Sequence, residues 1–387
     1  MTGPSTPQPP LTAIPADLQS LADYEQRAEK HMPPDTWRHI QAGAGAETSL
    51  AANRAQFDRR HLVPQMLTDM RDGTTEVELF GQRHAAPILL APVAYHRLAH
   101  PQGELATIRA ATALDTTMVV STLSSIPLEE IAGAARAAAA ELARAAPPPL
   151  WFQLYFQPDR DYTAELVQRA EAAGYQVLVF TVDAAIKRSD FTLPPDVDAA
   201  NLRRMPRLSQ SASLAGGKIV FGTPLLDTAP TWESLAWLRS ATKLPIVVKG
   251  LLSAQDARLA AEHGADGIIV SNHGGRVLDG LVPPLDALPA MVEAVDDSIP
   301  LLLDSGVRHG TDVLKALALG ARAVLVGRPQ IHALAVAGMA GVAHMLHILR
   351  AEFELAMAQT GCISPEAIQR HLLAGNIAES GHNPARS

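Results

Sequence analysis

His273, Gly274, Gly275 and Arg276 follow directly on a short apolar run, residues 267–272. A histidine held at the end of a buried strand can serve as a base near pH 7, because its free pKa lies close to that value. Two glycines let the backbone approach a ligand closely. An arginine offers a planar fork that matches a carboxylate. The same four residues also suit a plain turn with a structural histidine. Asp183 ends another run. An aspartate beside a histidine can orient the ring and stabilise its charged form, or it can simply cap a helix. Gly306, Arg308, Gly327 and Arg328 end two further runs. Backbone N–H groups and arginines at such ends hold phosphate, so a phosphate-bearing cofactor fits. No His, Cys, Asp or Glu cluster has zinc-ligand spacing, and no metal is expected.

The elements that must position these groups are legible as a repeat. Apolar runs occupy residues 87–92, 117–121, 151–155, 177–182, 245–249, 267–272, 300–304 and 323–327. Most are unbroken Val, Ile and Leu, as in strands buried on both faces. Helical patterns lie between them, at 129–146, 162–173, 231–241, 254–263, 285–295 and 311–319. This alternation predicts an α/β protein, a (β/α)8 TIM barrel, with an open doubly wound sheet as the alternative. No G-x-G-x-x-G follows the first run, which disfavours the open sheet. Residues 1–20 read as a disordered Pro-rich tail, 21–375 as a single domain and 376–387 as a second tail. Residues 16–86 look helical and are expected to cap the barrel bottom. Residues 184–230 are far too long for an ordinary connection and read as a lid or, failing that, a disordered insertion. The Ala-rich stretch 132–146 reads as a solvent-side helix.

Composition removes several function classes. Of 387 residues, 47% are hydrophobic and 19% charged, a balance that buries a core. Lys plus Arg number 32 against 40 Asp plus Glu, a net charge of −8 with no basic block, so no nucleic-acid partner is expected. The single cysteine, Cys362, excludes an internal disulfide and suggests a reducing, cytoplasmic setting. The N-terminus lacks the charged and apolar pattern of a secretory signal. Residues 331–349 carry no Asp, Glu, Lys or Arg and approach spanning length. Their three histidines and their continuation into charged residues read as a packed helix, with no membrane partner.

In a TIM barrel, chemistry gathers at the C-terminal ends of the strands. Nearly every run here ends in polar residues. Lys249 points toward the middle of that rim, where a cation can stabilise a reduced, anionic flavin ring. Gln153 and Thr181 can hydrogen-bond the ring's heteroatoms. At this point the sequence resembles the FMN-dependent α-hydroxy-acid oxidases and dehydrogenases, which include glycolate oxidase, lactate monooxygenase and mandelate dehydrogenase. The segment S-N-H-G-G-R-x-L-D-G, Ser271 to Gly280, is similar to that family's active-site signature. APVAYHRLAHPQGE (91–104), STLSS (121–125), WFQLY, FTVD, KGLLSAQDARLA (249–260), DSGVRHGTDVLKALALGA and VLVGRP also match. The resemblance runs from about residue 20 to about 365, with 91–98 nearest to hydroxymandelate oxidase-type members.

The resemblance implies FMN as cofactor, a small-molecule hydroxy acid as substrate, and oxygen or another electron acceptor. It makes His273 the base, Asp183 its partner, and Arg276 and Tyr155 substrate-binding residues. Pro92, Val93 and Ala94 would lie beside the ring, with Ser124, Gln153, Thr181, Lys249 and Ser271. Asp304, Ser305, Gly306, Arg308, Gly327 and Arg328 would hold the ribityl chain and phosphate. A homotetramer is also implied. Three departures stand out. The family's N-terminal tyrosine that helps bind the carboxylate falls at about His39. The family's G-R-R-x-x-D stretch after T-V-D is shortened here, with Arg188 the candidate to replace its arginine. D-G-G after the seventh run reads Asp304-Ser305-Gly306. The substrate site is therefore expected to be remodelled around an intact FMN site. Oxidation of a 2-hydroxy acid, an aryl or bulky one included, leads the readings. Behind it stand oxidation of an amine, amino acid or biosynthetic intermediate, oxidative decarboxylation, a flavin-free isomerase or aldolase, and a scaffold.

Overall fold

Unbroken apolar runs become barrel strands because the barrel interior covers one face and the surrounding helices the other. The structure, a computed structural model, describes residues 6–185, 191–205, 220–221, 226 and 229–374. Three helices lead the chain: α1 (Leu21–Ala28), α2 (Pro34–Gln41) and α3 (Thr48–Asp58). A hairpin follows, β1 (Val77–Leu79) and β2 (Gln82–His84). Then come β3 (Ile88–Leu90), α4 (Glu104–Ala113), β4 (Met118–Ser121), α5 (Leu128–Glu141), β5 (Leu150–Leu154), α6 (Arg160–Ala173) and β6 (Val177–Thr181). The second half holds α7 (Trp232–Ala241), β7 (Ile246–Leu251), α8 (Ala254–Glu262), β8 (Gly267–Val270), α9 (Pro284–Val295), β9 (Leu301–Leu303), α10 (Gly310–Ala318), β10 (Ala323–Val326) and α11 (Arg328–Gln359).

Strands β3 to β10 pair in parallel and close into one eight-stranded barrel, with β10 beside β3. Leu89, Val119, Trp151, Val179, Val247, Ile269, Leu302 and Leu325 fill its interior, and the alternate residues of the same strands pack on the helices. The barrel expectation holds and the open sheet falls.

The hairpin plugs the N-terminal ends of the strands. Its two-residue turn, Phe80-Gly81, has positive φ at both positions, as a type I′ turn requires. The Phe80 ring packs edge-on against Trp151, with centroids 5.4 Å apart, and His84 Nδ1 lies 2.9 Å from Thr117 Oγ1. Helices α1 to α3 do not share this end. They sit at the opposite rim, where residues from all three line the cavity described below. The expectation that residues 16–86 cap the bottom is thus right only for the hairpin.

The disordered tail expected over residues 1–20 is not what residues 6–20 show. The Gln8 N–H donates to Lys30 O and the Leu11 N–H to Val336 O, while Leu18 is buried. Apolar side chains among the prolines give this arm something to bury. Residues 376–387 and much of 184–230, the expected lid, lie outside the described residues. Helix α11 is long and apolar enough to cross a membrane, yet it is mostly buried and packs against α1, α4 and α10. Its backbone breaks at Ala337 and Gly338.

Candidate active site

Beyond β8 the chain turns sharply, with positive φ at His273, Gly274 and Gly275 in succession. Gly275 is required there, because a Cβ would come within 2.7 Å of the Leu50 backbone N on α3. The turn presents His273 beside the end of β6. His273 Nδ1 lies 2.9 Å from Asp183 Oδ1, and the other Asp183 oxygen is buried with no hydrogen-bond partner among the described residues. Burial pushes Asp183 up, but the charges of His273 and Lys249 outweigh it and hold the carboxyl below the usual range. An ionised Asp183 fixes the orientation of the imidazole and can balance a charge that the ring gains.

Lys249, on β7, is fully buried. Its ammonium lies 3.1 Å from Asp304 Oδ2 and donates to Ser271 Oγ at 2.8 Å. Burial works against that charge, yet Asp304 and Asp183 keep it above its ordinary value. Ser271 Oγ also accepts from the His273 N–H at 3.0 Å. Ser305 Oγ donates to Asp304 Oδ1 at 2.7 Å and accepts from the Gly274 N–H at 3.0 Å. The ends of β7, β8 and β9 thereby form one hydrogen-bonded unit.

Among the described residues, four arginines line the same cavity: Arg54, Arg276, Arg308 and Arg328. Arg276 Nη1 donates to the carbonyls of Ile40 and Ala42 at 2.8 and 3.0 Å, and Nη2 to that of His39 at 2.7 Å. Arg328 shares two of these acceptors, Ile40 O and Ala42 O, and also donates to Gly274 O. These carbonyls belong to the C-terminal end of α2, where orphan acceptors and the negative dipole end attract cations. Arg328 opens α11, so the N-terminus of that helix also faces the site. Burial is the main force lowering Arg276 and Arg308. Burial and crowding by Arg276 and Arg308 pull Arg328 down to about 9. Such a cluster attracts anions, and a phosphate plus a carboxylate would suit it.

These groups share a cavity of about 1090 Å³ at the C-terminal rim. Pro92, Val93, Ala94, Tyr155, Thr181, Lys249, His273 and Arg276 line it, as do Asp304, Ser305, Gly306, Arg308, Gly327, Arg328 and His39. Asp183, Gln153 and Ser271 stand behind that lining, within hydrogen-bond reach of one another or of lining residues. Ser124 is elsewhere: its hydroxyl donates to Ile126 O and accepts from Asn201 Nδ2, and Ser121 lines the cavity instead. Arg188 lies outside the described residues. The described parts of 184–230 add Ala184, Ala185, Phe191, Leu193 and Pro230 to the wall. Phe191 stacks on His39, with centroids 4.1 Å apart.

The chain motifs do not reveal Arg54 and Asp279. Arg54, on α3, lines the cavity, pairs with Asp312 and donates to Gly306 O at 2.9 Å. Asp279 accepts from the Ala46 and Ser49 N–H groups and from the Thr48 hydroxyl, which pins the loop after β8 to the start of α3. Only its place inside the S-N-H-G-G-R-x-L-D-G segment hinted at a role. Gly306 has φ +96, and a Cβ there would meet Asn53 O at 2.0 Å. Gly306→Ala is expected to lose about 2 kcal/mol or more through backbone strain and displacement of α3. A urea titration reads this, and an unshifted midpoint would show that α3 gives way freely.

A flavin ring fits what the structure leaves unmet. Gln153 Nε2 and Thr181 Oγ1, at the ends of adjacent strands, are buried without hydrogen-bond partners among the described residues. Buried polar atoms are rarely left so, and ring heteroatoms would satisfy them. Lys249 sits on the next strand, paired with Thr181 in register.

A parallel barrel whose rim joins a cationic cradle to a histidine–aspartate pair is a cofactor-dependent barrel enzyme by class. A family profile described as FMN-dependent dehydrogenase matches residues 28–375. An L-lactate oxidase of Alicycliphilus denitrificans is 46% identical over 360 residues, covering 91% of this chain and 95% of the relative. A 4-hydroxymandelate oxidase of Amycolatopsis orientalis is 44% identical, covering 91% and 97%. A solved mandelate oxidase with (S)-2-phenylpropionate superposes with a TM-score of 0.80 at 43% identity, covering 92% and 98%. The chain belongs to the FMN-dependent dehydrogenase family. It is an oxidoreductase of the 2-hydroxy-acid oxidase kind, with FMN as cofactor.

Proposed function

We propose that this enzyme oxidises 2-hydroxy acids with a bulky, aryl-type substituent to the 2-keto acids. The observation that carries the reading is that Arg276 and His273, backed by Asp183, face one cavity with Tyr95, Leu123, Phe156, Phe191 and Leu193. A carboxylate on Arg276 leaves a large apolar wall for the rest of the substrate. Relatives named for lactate, 4-hydroxymandelate and glycolate share the chemistry but span small and aryl acids.

In this reading Arg276 binds the carboxylate, and Tyr155 and His39 stand beside it. His273 takes a proton from the substrate, while Asp183 holds the ring and balances the charge it gains. Bound FMN supplies the two-electron acceptor. Gln153, Thr181 and Ser271 would orient the ring, Lys249 would place a positive charge beside it, and Arg308 and Arg328 would take the phosphate. The substrate leaves as the keto acid after losing two electrons and two protons, one proton to His273 and the other, with both electrons, to the acceptor that FMN would supply. An external electron acceptor, oxygen among the candidates, completes the turnover. We also propose a cytoplasmic homotetramer. The lone buried thiol Cys362 and exposed Met66 and Leu67 support this, and light scattering tests the assembly.

Anaerobic mixing with a panel of acids tests the substrate. Mandelate-type acids are expected to bleach the flavin faster than lactate, and amino acids not at all. Bleaching by amino acids alone would favour the amine-oxidising reading. For Lys249→Ala, the flavin reduction potential is expected to fall by about 30 mV or more, equivalent to about 1.4 kcal/mol for a two-electron couple. A potential equal to the parent's would remove Lys249 from that role.

A further inference from the structure

A carboxylate stands at the cationic end of the cavity, where the chemistry just described has no use for it. Glu25 lies on α1 and lines the cavity together with Arg308, Arg328 and Gln41. Its Oε2 is 3.8 Å from Arg308 Nε, and its Oε1 accepts from Gln41 Nε2 at 2.9 Å. Among the described residues this is the only ion pair made by Arg276, Arg308 or Arg328. Its position is built in. Ser20 and Asp23 form a capping box that fixes the start of α1, and α1 packs on α11, the helix that Arg328 opens. Gln41 ends α2, whose last carbonyls hold Arg276 and Arg328. One carboxylate therefore touches the arginine cluster from α1 and is steadied from α2.

The electrostatics run in opposite directions with and without the cofactor. Without a phosphate, a carboxylate near Arg308 relieves a buried like-charged cluster. With a phosphate on Arg308 and Arg328, the same carboxylate faces a dianion at short range and repels it. We propose that Glu25 is a built-in counter-anion of the phosphate cradle, which holds Arg308 while the cradle is empty and loosens the phosphate when it is filled. The inference rests on the reading that Arg308 and Arg328 take the FMN phosphate. It makes Glu25 a positioning residue that sets how readily FMN exchanges, and it confines that effect to the phosphate end.

The test uses apoprotein stripped of flavin and titrated with FMN and with riboflavin, following quenching of flavin fluorescence. Riboflavin carries the ring and ribityl chain without the phosphate. Glu25→Gln keeps the shape and an acceptor for Gln41 but removes the charge. It is expected to bind FMN at least about fivefold more tightly at low ionic strength, with the gain shrinking as salt rises. Riboflavin affinity is expected to stay at the parent value, which also reports that the variant is folded. Glu25→Asp, which keeps the charge, is expected to remain near the parent for both flavins. Unchanged or weaker FMN binding by Glu25→Gln, or equal shifts for the two flavins, would overturn the proposal and leave the phosphate assignment standing. Parent apoprotein that binds riboflavin as tightly as FMN would overturn both.

Discussion

His273→Ala is expected to retain FMN and to slow flavin reduction by substrate at least about a hundredfold. A positioned acid–base group contributes about that factor or more. The side chain meets the geometric requirement, since it lines the cavity and its Nδ1 is fixed 2.9 Å from an aspartate that stays ionised. Asp183→Asn is expected to be severe as well. An amide can hold the ring in the wrong tautomer and cannot balance a charge on it. Retention of FMN follows from the map of contacts. Lys249, Gln153, Thr181 and the arginine cradle do not depend on the imidazole, and Ser271 meets His273 only through its backbone N–H. Stopped-flow mixing of the anaerobic protein with its best substrate measures the rate, and the visible spectrum confirms the flavin. A variant reduced within a few-fold of the parent would remove His273 from the chemistry, whatever its place in the cavity.

Why some of this was legible in the chain and some was not has a physical answer. The barrel strands announced themselves because burial on both faces leaves an unbroken apolar run, and the observed strands fall within those runs or beyond them by one or two residues. The rule that chemistry gathers at strand ends then located Lys249, His273, Asp304 and Arg328 without further help. The hairpin Val77–Leu79 and Gln82–His84 escaped because three residues per strand carry no readable period. Helices α1 to α3 were legible as helices, but no local pattern says which end of a barrel they cover. Their place is set by long-range bonds, such as those from Arg276 and Arg328 to the end of α2 and from Asp279 to the start of α3. Ser124 sat in the expected strand end, yet a tight turn spends its hydroxyl on Ile126 O. Glu25 and Arg54 could not be found by motif, since each acquires meaning only from a partner brought by the fold, Arg308 for one and Asp312 for the other.

Replacing Arg276 is expected to raise the KM for the hydroxy acid by about ten- to a hundredfold, the usual cost of a lost charge-assisted contact of about 1.5–3 kcal/mol. The guanidinium is prepared for such a contact. Both Nη1 protons and one Nη2 proton are committed to the carbonyls of His39, Ile40 and Ala42. A guanidinium has five donors, so among the described residues the Nε–H and one Nη2–H are left for a carboxylate. Burial lowers Arg276 from its ordinary value, so an incoming anion also relieves a desolvated charge. Arg276→Lys keeps a charge but not the fork, and is expected to recover only part of the loss. Arg276→Met also frees the carbonyls at the end of α2, so a rise in KM alone could reflect a displaced helix. The amide of the same hydroxy acid separates the two effects. If Arg276 grips the carboxylate, the parent discriminates acid from amide by roughly the factor lost on mutation, and Arg276→Met treats the two nearly alike. A variant that still prefers the acid by the parent's margin would place the carboxylate on another group, with His39 the first candidate by position.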